Sequence, residues 1–156
     1  MKWKDKPLGK MITHVQSRIV NPYIRERDNE NYGVSISDNG SISDAGHYFS
    51  VGSHPVMRFR VDNIHGQSRS GNSFKGGDLL NYRKGLINRH GLAYVQILEV
   101  EEQFYKALGH KWTRFDVIAI AETYKYLHKN KIWIWEQEIF VNVKLKLINE
   151  GKIKVN

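Results

Sequence analysis

Between Ser43 and Asn72 the chain reads "SDAGHYFSVGSHPVMRFRVDNIHGQSRSGN", which gathers three histidines and two asparagines with aspartate and no cysteine. Groups of this kind suit phosphodiester hydrolysis. A base must take a proton from water attacking phosphorus, and imidazole suits that work because its pKa lies near neutrality. A divalent cation must neutralise charge on the phosphate and on the leaving 3′-oxygen, and hard oxygen donors such as Asp and Asn hold Mg²⁺ well. A further hydrogen-bonding group must fix the imidazole. The pattern makes His47 the candidate base and Asp44 and Asn72 candidate metal ligands. Asn63 is the candidate for orienting His47 or its loop, and His65 is a candidate extra ligand or phosphate contact. A plainer reading stands beside this one: a strand histidine is often a satisfied structural residue, and asparagine is common in turns.

Local patterning supplies elements to carry these residues. Val34 and Ile36 alternate with serines, and "DNG" at 38–40 is a hairpin signal before Ile42. "VMRFRVDN" alternates again, setting Met57, Phe59 and Val61 against Arg58 and Arg60, as a second strand would. From Asp78 the period becomes helical, with Asp78 as the N-cap and Gly91 as the stop. A second helix runs on to Gly109, and a third starts at Thr113 with Asp116 in a capping-box place. Two strands followed by a helix, with histidine on a strand and polar ligands after the second, is the plan of a ββα-metal nuclease site. The tail returns to period two at Ile139, Val141, Val143, Leu145 and Leu147, and predicts a hairpin closing through "NEG" to Ile153 and Val155, with a helix over 136–149 as the competitor. Residues 1–33 read as a basic, loosely attached arm whose one helix, begun at Thr13, stops at Pro22. The expected organisation is this arm, a core over 34–130, and an extension over 131–156 packed on it.

Composition narrows the partners. The 24 Lys and Arg outweigh the 16 Asp and Glu, and a net charge of +8 on 156 residues suits a polyanion such as nucleic acid. No apolar run approaches the roughly 18 residues that would span a bilayer, and "MKWKDKPLGK" lacks the apolar stretch of a signal peptide, so a cytoplasmic location is expected and no membrane partner. The absence of cysteine excludes disulfides, thiolate nucleophiles and thiolate zinc sites.

The runs "DAGHYFSVGSHPVMRFRVDNIHGQSRSGN" and "NYRKGLINRHG", followed by "KWT" ahead of a helix, resemble the NinG family of phage recombination proteins, also called Rap, from about residue 33 to about residue 129. The resemblance implies an α+β fold with an HNH-type (ββα-metal) core and added helices. It implies a structure-specific DNA endonuclease acting on branched recombination intermediates such as D-loops and Holliday junctions, in the cytoplasm of the host cell. It also implies Mg²⁺ or Mn²⁺ as cofactor. The family carries two Cys-x-x-Cys pairs that bind a structural zinc; here the first falls on Ser35 and Asp38 and the second on Ser68 and Gly71, so no structural zinc is expected. A structural zinc can contribute on the order of 10 kcal/mol to a small module, so something else must brace the unit. Candidates are Val34, Ile36, Phe49, Val51, Phe59, Ile64 and Phe74, and the C-terminal segment with Trp133 and Trp135.

Arg58, Arg60, Arg69 and Lys75 flank the candidate site, and Arg83 follows on the next helix; all five are candidate DNA contacts. Lys144, Lys146, Lys152 and Lys154 would form a basic ladder on a C-terminal hairpin, which more simply protects an edge strand. A four-way junction has two-fold symmetry, so a homodimer is the expected cutting unit. The rival reading is a non-catalytic module that binds branched DNA and needs neither His47 nor a divalent ion.

Overall fold

A computed structural model describes residues 2–153, apart from the side chain of Phe74. Lys154 and Val155, assigned above to a terminal hairpin, lie outside the described residues. The protein is α+β, mostly helical, with one two-stranded antiparallel sheet among the described residues. It gathers into two compact units, one made of Met1–Tyr23 and Trp112–Asn156 and the other of Ile24–Lys111.

In the first unit, helix α1 (Leu8–Val15) passes through a π-helical turn (Gln16–Val20) directly into α2 (Asn21–Asn31), which from Ile24 onward belongs to the second unit. Pro22 was expected to end this helix and does not. A proline lacks its amide and crowds the carbonyl four residues back; the wider π turn immediately ahead loosens the ladder where that conflict falls. The segment is not a loose arm either, because Met11, Val15, Val20 and Tyr23 are wholly buried. Helix α5 (Arg114–Lys129) starts at Thr113, whose hydroxyl accepts from the Asp116 amide while the Asp116 carboxylate accepts from the Thr113 amide. This is the capping box expected from the sequence. The Tyr23 ring meets Tyr124 at 5.2 Å and Trp133 at 5.4 Å, and its hydroxyl donates to the Ile132 carbonyl at 2.9 Å. Trp135 joins the same cluster against Tyr124 and Phe140.

The C-terminal hairpin is replaced by helix α6 (Gln137–Asn149). Ile139, Val143 and Leu147 belong to both patterns, because a spacing of four keeps residues on one face of a strand and on one face of a helix. The residues only a strand would bury, Val141 and Leu145, are exposed, and the helix packs against α5 instead. An isolated hairpin would be marginal. The basic ladder disappears with it: Lys144 lies over the Phe140 ring and Lys152 pairs with Glu150.

In the second unit the expected 34–42 hairpin is a turn without strands, closed by the Ser35 amide on the Gly40 carbonyl at 2.8 Å with Asn39 in the left-handed region. Strand β1 (Asp44–His47) pairs with β2 (Ile64–Gln67). The second strand therefore starts later than "VMRFRVDN" suggested. That segment forms two 3₁₀ turns, Pro55–Met57 and Val61–Asn63. Its buried Met57 and Phe59 still read as alternation, but its backbone is bonded by the Asn63 side chain rather than by a ladder.

Helices α3 (Leu79–His90) and α4 (Leu92–Leu108) follow, broken at Gly91 with φ 88°. Asp78 precedes α3 as expected, yet its carboxylate accepts from the Asn81 side chain and caps no backbone amide. Ile36, Tyr82, Leu86 and Val95 form a buried cluster. A Cβ at Gly85 would collide with the Ile36 carbonyl oxygen, so α3 can approach the 34–42 turn only with glycine there.

Gly→Ala inside a helix ordinarily stabilises by about 1 kcal/mol. Gly85→Ala should reverse that sign and destabilise by roughly 1–3 kcal/mol, the usual cost of overpacking. Urea unfolding of the two proteins measures it.

Candidate functional site

The β1–β2 register decides which side chains share a face. Asp44 lies opposite Gln67, and Gly46 opposite His65. Directly opposed residues project to one face and alternate residues along a strand do too. One face therefore carries Asp44, Gly46, His65 and Gln67, and the other carries Ala45, His47, Ile64 and Gly66. Asn72 joins the first set from the π-helical turn Ser70–Phe74, where its amide is held by the Ser68 carbonyl at 2.9 Å. Its side-chain amide lies 3.4 Å from Asp44 Oδ2, so the two expected metal ligands are brought together.

Gly46 is the floor of this arrangement. A Cβ placed there would lie 3.2 Å from Asn72 Oδ1 and would overlap Gln67 Oε1. Gln67 was not singled out by sequence reasoning. Only the register sets it beside Asp44, and that register is not written in "DNIHGQ" itself. Among the described residues no three His, Cys, Asp or Glu side chains gather to hold a metal ion, so a cation at this place would rest on one carboxylate and carboxamide oxygens.

His47 closes β1 on the other face, and none of its hydrogen bonds goes to Asp44 or Asn72. Its Nε2 lies 2.9 Å from the Arg58 carbonyl. A carbonyl only accepts, so Nε2 carries the proton and Nδ1 keeps its lone pair. Burial, with the Arg58 charge as a lesser contributor, outweighs that bond and brings the His47 pKa down to about 4. The imidazole is thus neutral at physiological pH, with one nitrogen held and the other an acceptor.

Asn63 is wholly buried and makes all its side-chain bonds to the loop between the strands. Its Oδ1 accepts from the Phe49 amide at 2.7 Å, and its Nδ2 donates to the Phe49 and Met57 carbonyls at 3.1 and 3.0 Å. Of the two expected roles, this geometry is the loop-holding one. His65 is also buried, with Nδ1 donating to the Tyr82 hydroxyl, which in turn donates to the Gly46 carbonyl at 2.9 Å. Burial holds the His65 pKa well below the ordinary value, and the side chain braces the strand under Gly46.

Ser35, Asp38, Ser68 and Gly71 also converge. Ser68 Oγ donates to Asp38 Oδ2 at 2.6 Å and accepts from the Gly71 amide at 3.0 Å. The other Asp38 oxygen accepts from the Gly40 amide at 3.1 Å. These bonds, led by that from Ser68, lower the Asp38 pKa. Hydrogen bonds thus tie the 34–42 turn to the segment after β2. Of the apolar candidates for this bracing, Ile36, Phe59 and Ile64 are buried and Val34 is exposed. Trp133 and Trp135 belong to the other unit.

The basic candidates divide by their partners. Arg60 is paired with Asp62 and Glu101, and Arg83 with Glu99. Arg58 is partly buried beside His47. Arg69 and Lys75 are exposed on either side of Asn72, with Lys75 3.8 Å from Asp78.

A small basic α+β protein with histidine, carboxylate and carboxamide groups gathered on a two-stranded sheet is the class this geometry defines. Within it, residues 1–132 match the family described as Bacteriophage Lambda NinG protein, and the chain belongs to that family. The match takes in the N-terminal segment, which the resemblance read from the sequence did not. The chain is similar to the protein NinG of Salmonella phage P22, with 36% identity over 121 residues covering 77% of this chain and 57% of that one. It is similar to the NinG proteins of Escherichia phage 933W, at 37% identity with the same coverage, and of Escherichia phage lambda, at 36% identity and 56% of that chain. The chain spans little more than half the length of these curated relatives. No solved structure matches it. None of the described helices is long and apolar enough to cross a membrane.

Asp38 yields a prediction about stability. A carboxyl with a lowered folded pKa stabilises above its unfolded pKa, and that contribution fades as pH falls through the folded value. Asp38→Ala should lose roughly 0.5–1 kcal/mol at pH 7, a modest figure because the carboxylate is solvent-screened. The difference from wild type should shrink towards pH 3, measured by urea unfolding at both pH values.

Proposed function

We propose that the protein is a structure-specific, metal-dependent DNA endonuclease of HNH type that cuts branched DNA, a Holliday junction or D-loop, in phage recombination. The observation that carries the reading is the state of His47: a neutral imidazole with Nε2 held by a backbone carbonyl and Nδ1 an available acceptor. A general base needs such an unprotonated nitrogen, and the low pKa keeps it unprotonated across the physiological range while making it a weaker base than an ordinary imidazole.

Asp44 and Asn72 lie together on one face of the sheet and bear hard oxygens of the sort Mg²⁺ or Mn²⁺ takes, and these residues would hold such an ion. A bound divalent ion would supply charge stabilisation at the phosphate and at the departing oxygen. His47 Nδ1 takes the proton of the attacking water, and the Arg58 carbonyl steadies the imidazolium that results through Nε2. Asn63 keeps the loop carrying that carbonyl in place, through the Met57 carbonyl one residue away. Cleavage in this sense leaves 3′-hydroxyl and 5′-phosphate ends. Arg69, exposed beside Asn72, is the better placed backbone contact, whereas Arg60, Arg83 and Lys75 already face carboxylates. A homodimer would match the two-fold symmetry of a junction. Membership of a phage NinG family supports the recombination setting.

Wild type and His47→Ala should be incubated with a labelled four-way junction, matched duplex and single strand, in Mg²⁺, Mn²⁺ or EDTA. The expected result is divalent-dependent cutting of the junction that falls at least 10²-fold in His47→Ala, as loss of a general base does. Junction binding without cutting in any ion would overturn the proposal and leave a DNA-binding module. The acid limb gives a second check. Because the folded pKa of His47 is about 4, kcat/KM should hold on lowering the pH through 6 and fall only as 4 is approached. A limb near the ordinary histidine value would assign the base elsewhere.

A further inference from the structure

The Gln67 side chain is fully buried and held at one end only. Its Nε2 donates to Ser37 Oγ at 3.0 Å and to the Gly77 carbonyl at 2.8 Å. The second bond fixes which way the amide faces, since a carbonyl takes only a donor. Oε1 is thereby turned over Gly46, where it is buried without a hydrogen-bond partner. Buried amide oxygens are normally paired, so an unpaired one asks for an explanation.

Its surroundings restrict the explanation. Asn72 Oδ1 faces the same spot, 3.2 Å from where a Gly46 Cβ would be, and Asp44 lies directly across the sheet from Gln67. Asn72 Nδ2 lies 3.4 Å from Asp44 Oδ2, a long contact. Two amide oxygens over a residue without a side chain, with the Asp44 carboxylate on the same face of the sheet, form a cradle for a cation rather than for a further acceptor.

We propose that Gln67 Oε1 is a third protein ligand of a hard divalent cation seated over Gly46 with Asp44 and Asn72. This rests on the metal-dependent reading above and adds to it a ligand, and a reason for glycine at 46. One carboxylate and two carboxamides give a weakly charged site that would leave several positions to water, which suits Mg²⁺ or Mn²⁺. Gln67 also couples the ion to the fold, because its other end secures Ser37 in the 34–42 turn and Gly77 ahead of α3.

The test is a Mg²⁺ titration of the wild-type protein by carbon-detected NMR, following the side-chain carbonyl and carboxyl carbons of Gln67, Asp44 and Asn72. Alongside it, Mn²⁺ affinity is measured by electron paramagnetic resonance for wild type, Gln67→Leu and Ser37→Ala. All three carbons should shift together. Gln67→Leu should weaken Mn²⁺ binding at least 10- to 100-fold, the range that loss of outer-shell partners already reaches. Ser37→Ala, which removes a partner of Nε2 and leaves Oε1, should bind as wild type does. Shifts at Asp44 and Asn72 with none at Gln67 would overturn this inference and leave the metal-dependent reading standing. No shift at any of the three would overturn both.

Discussion

The second unit is organised around a buried carboxylate, Asp28. It lies near the end of α2 with no solvent exposure, and its Oδ2 accepts from the Gly66 amide in the middle of β2 at 2.6 Å. Arg27, its neighbour and ion-pair partner, donates to the Val61 and Ile64 carbonyls that lead into the same strand. Arg89 of α3 completes the charge balance at 3.7 Å. A buried carboxylate survives only where its oxygens are hydrogen-bonded and its charge is met, and removing one partner is far more costly than losing a surface pair. The consequence is geometric. β2 is held against α2 at a defined height, so its register with β1 is set, and with it the face on which Asp44, Gly46, His65 and Gln67 meet.

From that constraint the candidate chemistry divides into a held base and a cradle of oxygens. The loop between the strands returns the Arg58 carbonyl to His47, and Asn63 holds the loop by three hydrogen bonds from one buried carboxamide. On the opposite face the Tyr82 hydroxyl secures the Gly46 carbonyl from above, with His65 behind it. Both arrangements spend buried polar groups on backbone position rather than on solvent contact. Fixing groups before the reaction is how electrostatic stabilisation becomes large. The network of Ser35, Asp38, Ser68 and Gly71 fastens the outer end of the same sheet with hydrogen bonds and no thiolate.

Legibility in the sequence followed the range of the interactions. Helices α3, α4 and α5 were readable because their signals are local: Gly91, Gly109, and the Thr113–Asp116 capping box all lie within a turn of the boundary they set. Asp44, His47, Asn63 and Asn72 were readable as residue types, and Asp44 with Asn72 as a pair. The misread elements each had a non-local cause. Ile139, Val143 and Leu147 fit a strand and a helix equally, and packing against α5 decided between them. β2 has all four residues buried, so it shows no alternation, while the alternating segment ahead of it is coiled by Asn63. Nothing local in "IRERD" marks Arg27 and Asp28 as buried. Gln67 could be found only once the register placed it opposite Asp44.

The proposed chemistry depends on His47 being held as a neutral imidazole with its proton on Nε2 and its lone pair on Nδ1. Nitrogen-15 NMR of the ring in the wild-type protein, followed from pH 8 down to pH 5, tests it most directly. Nε2 should be protonated and Nδ1 unprotonated throughout that range, because the folded pKa is about 4. A ring with both nitrogens protonated by pH 6, or with its single proton on Nδ1, would contradict it.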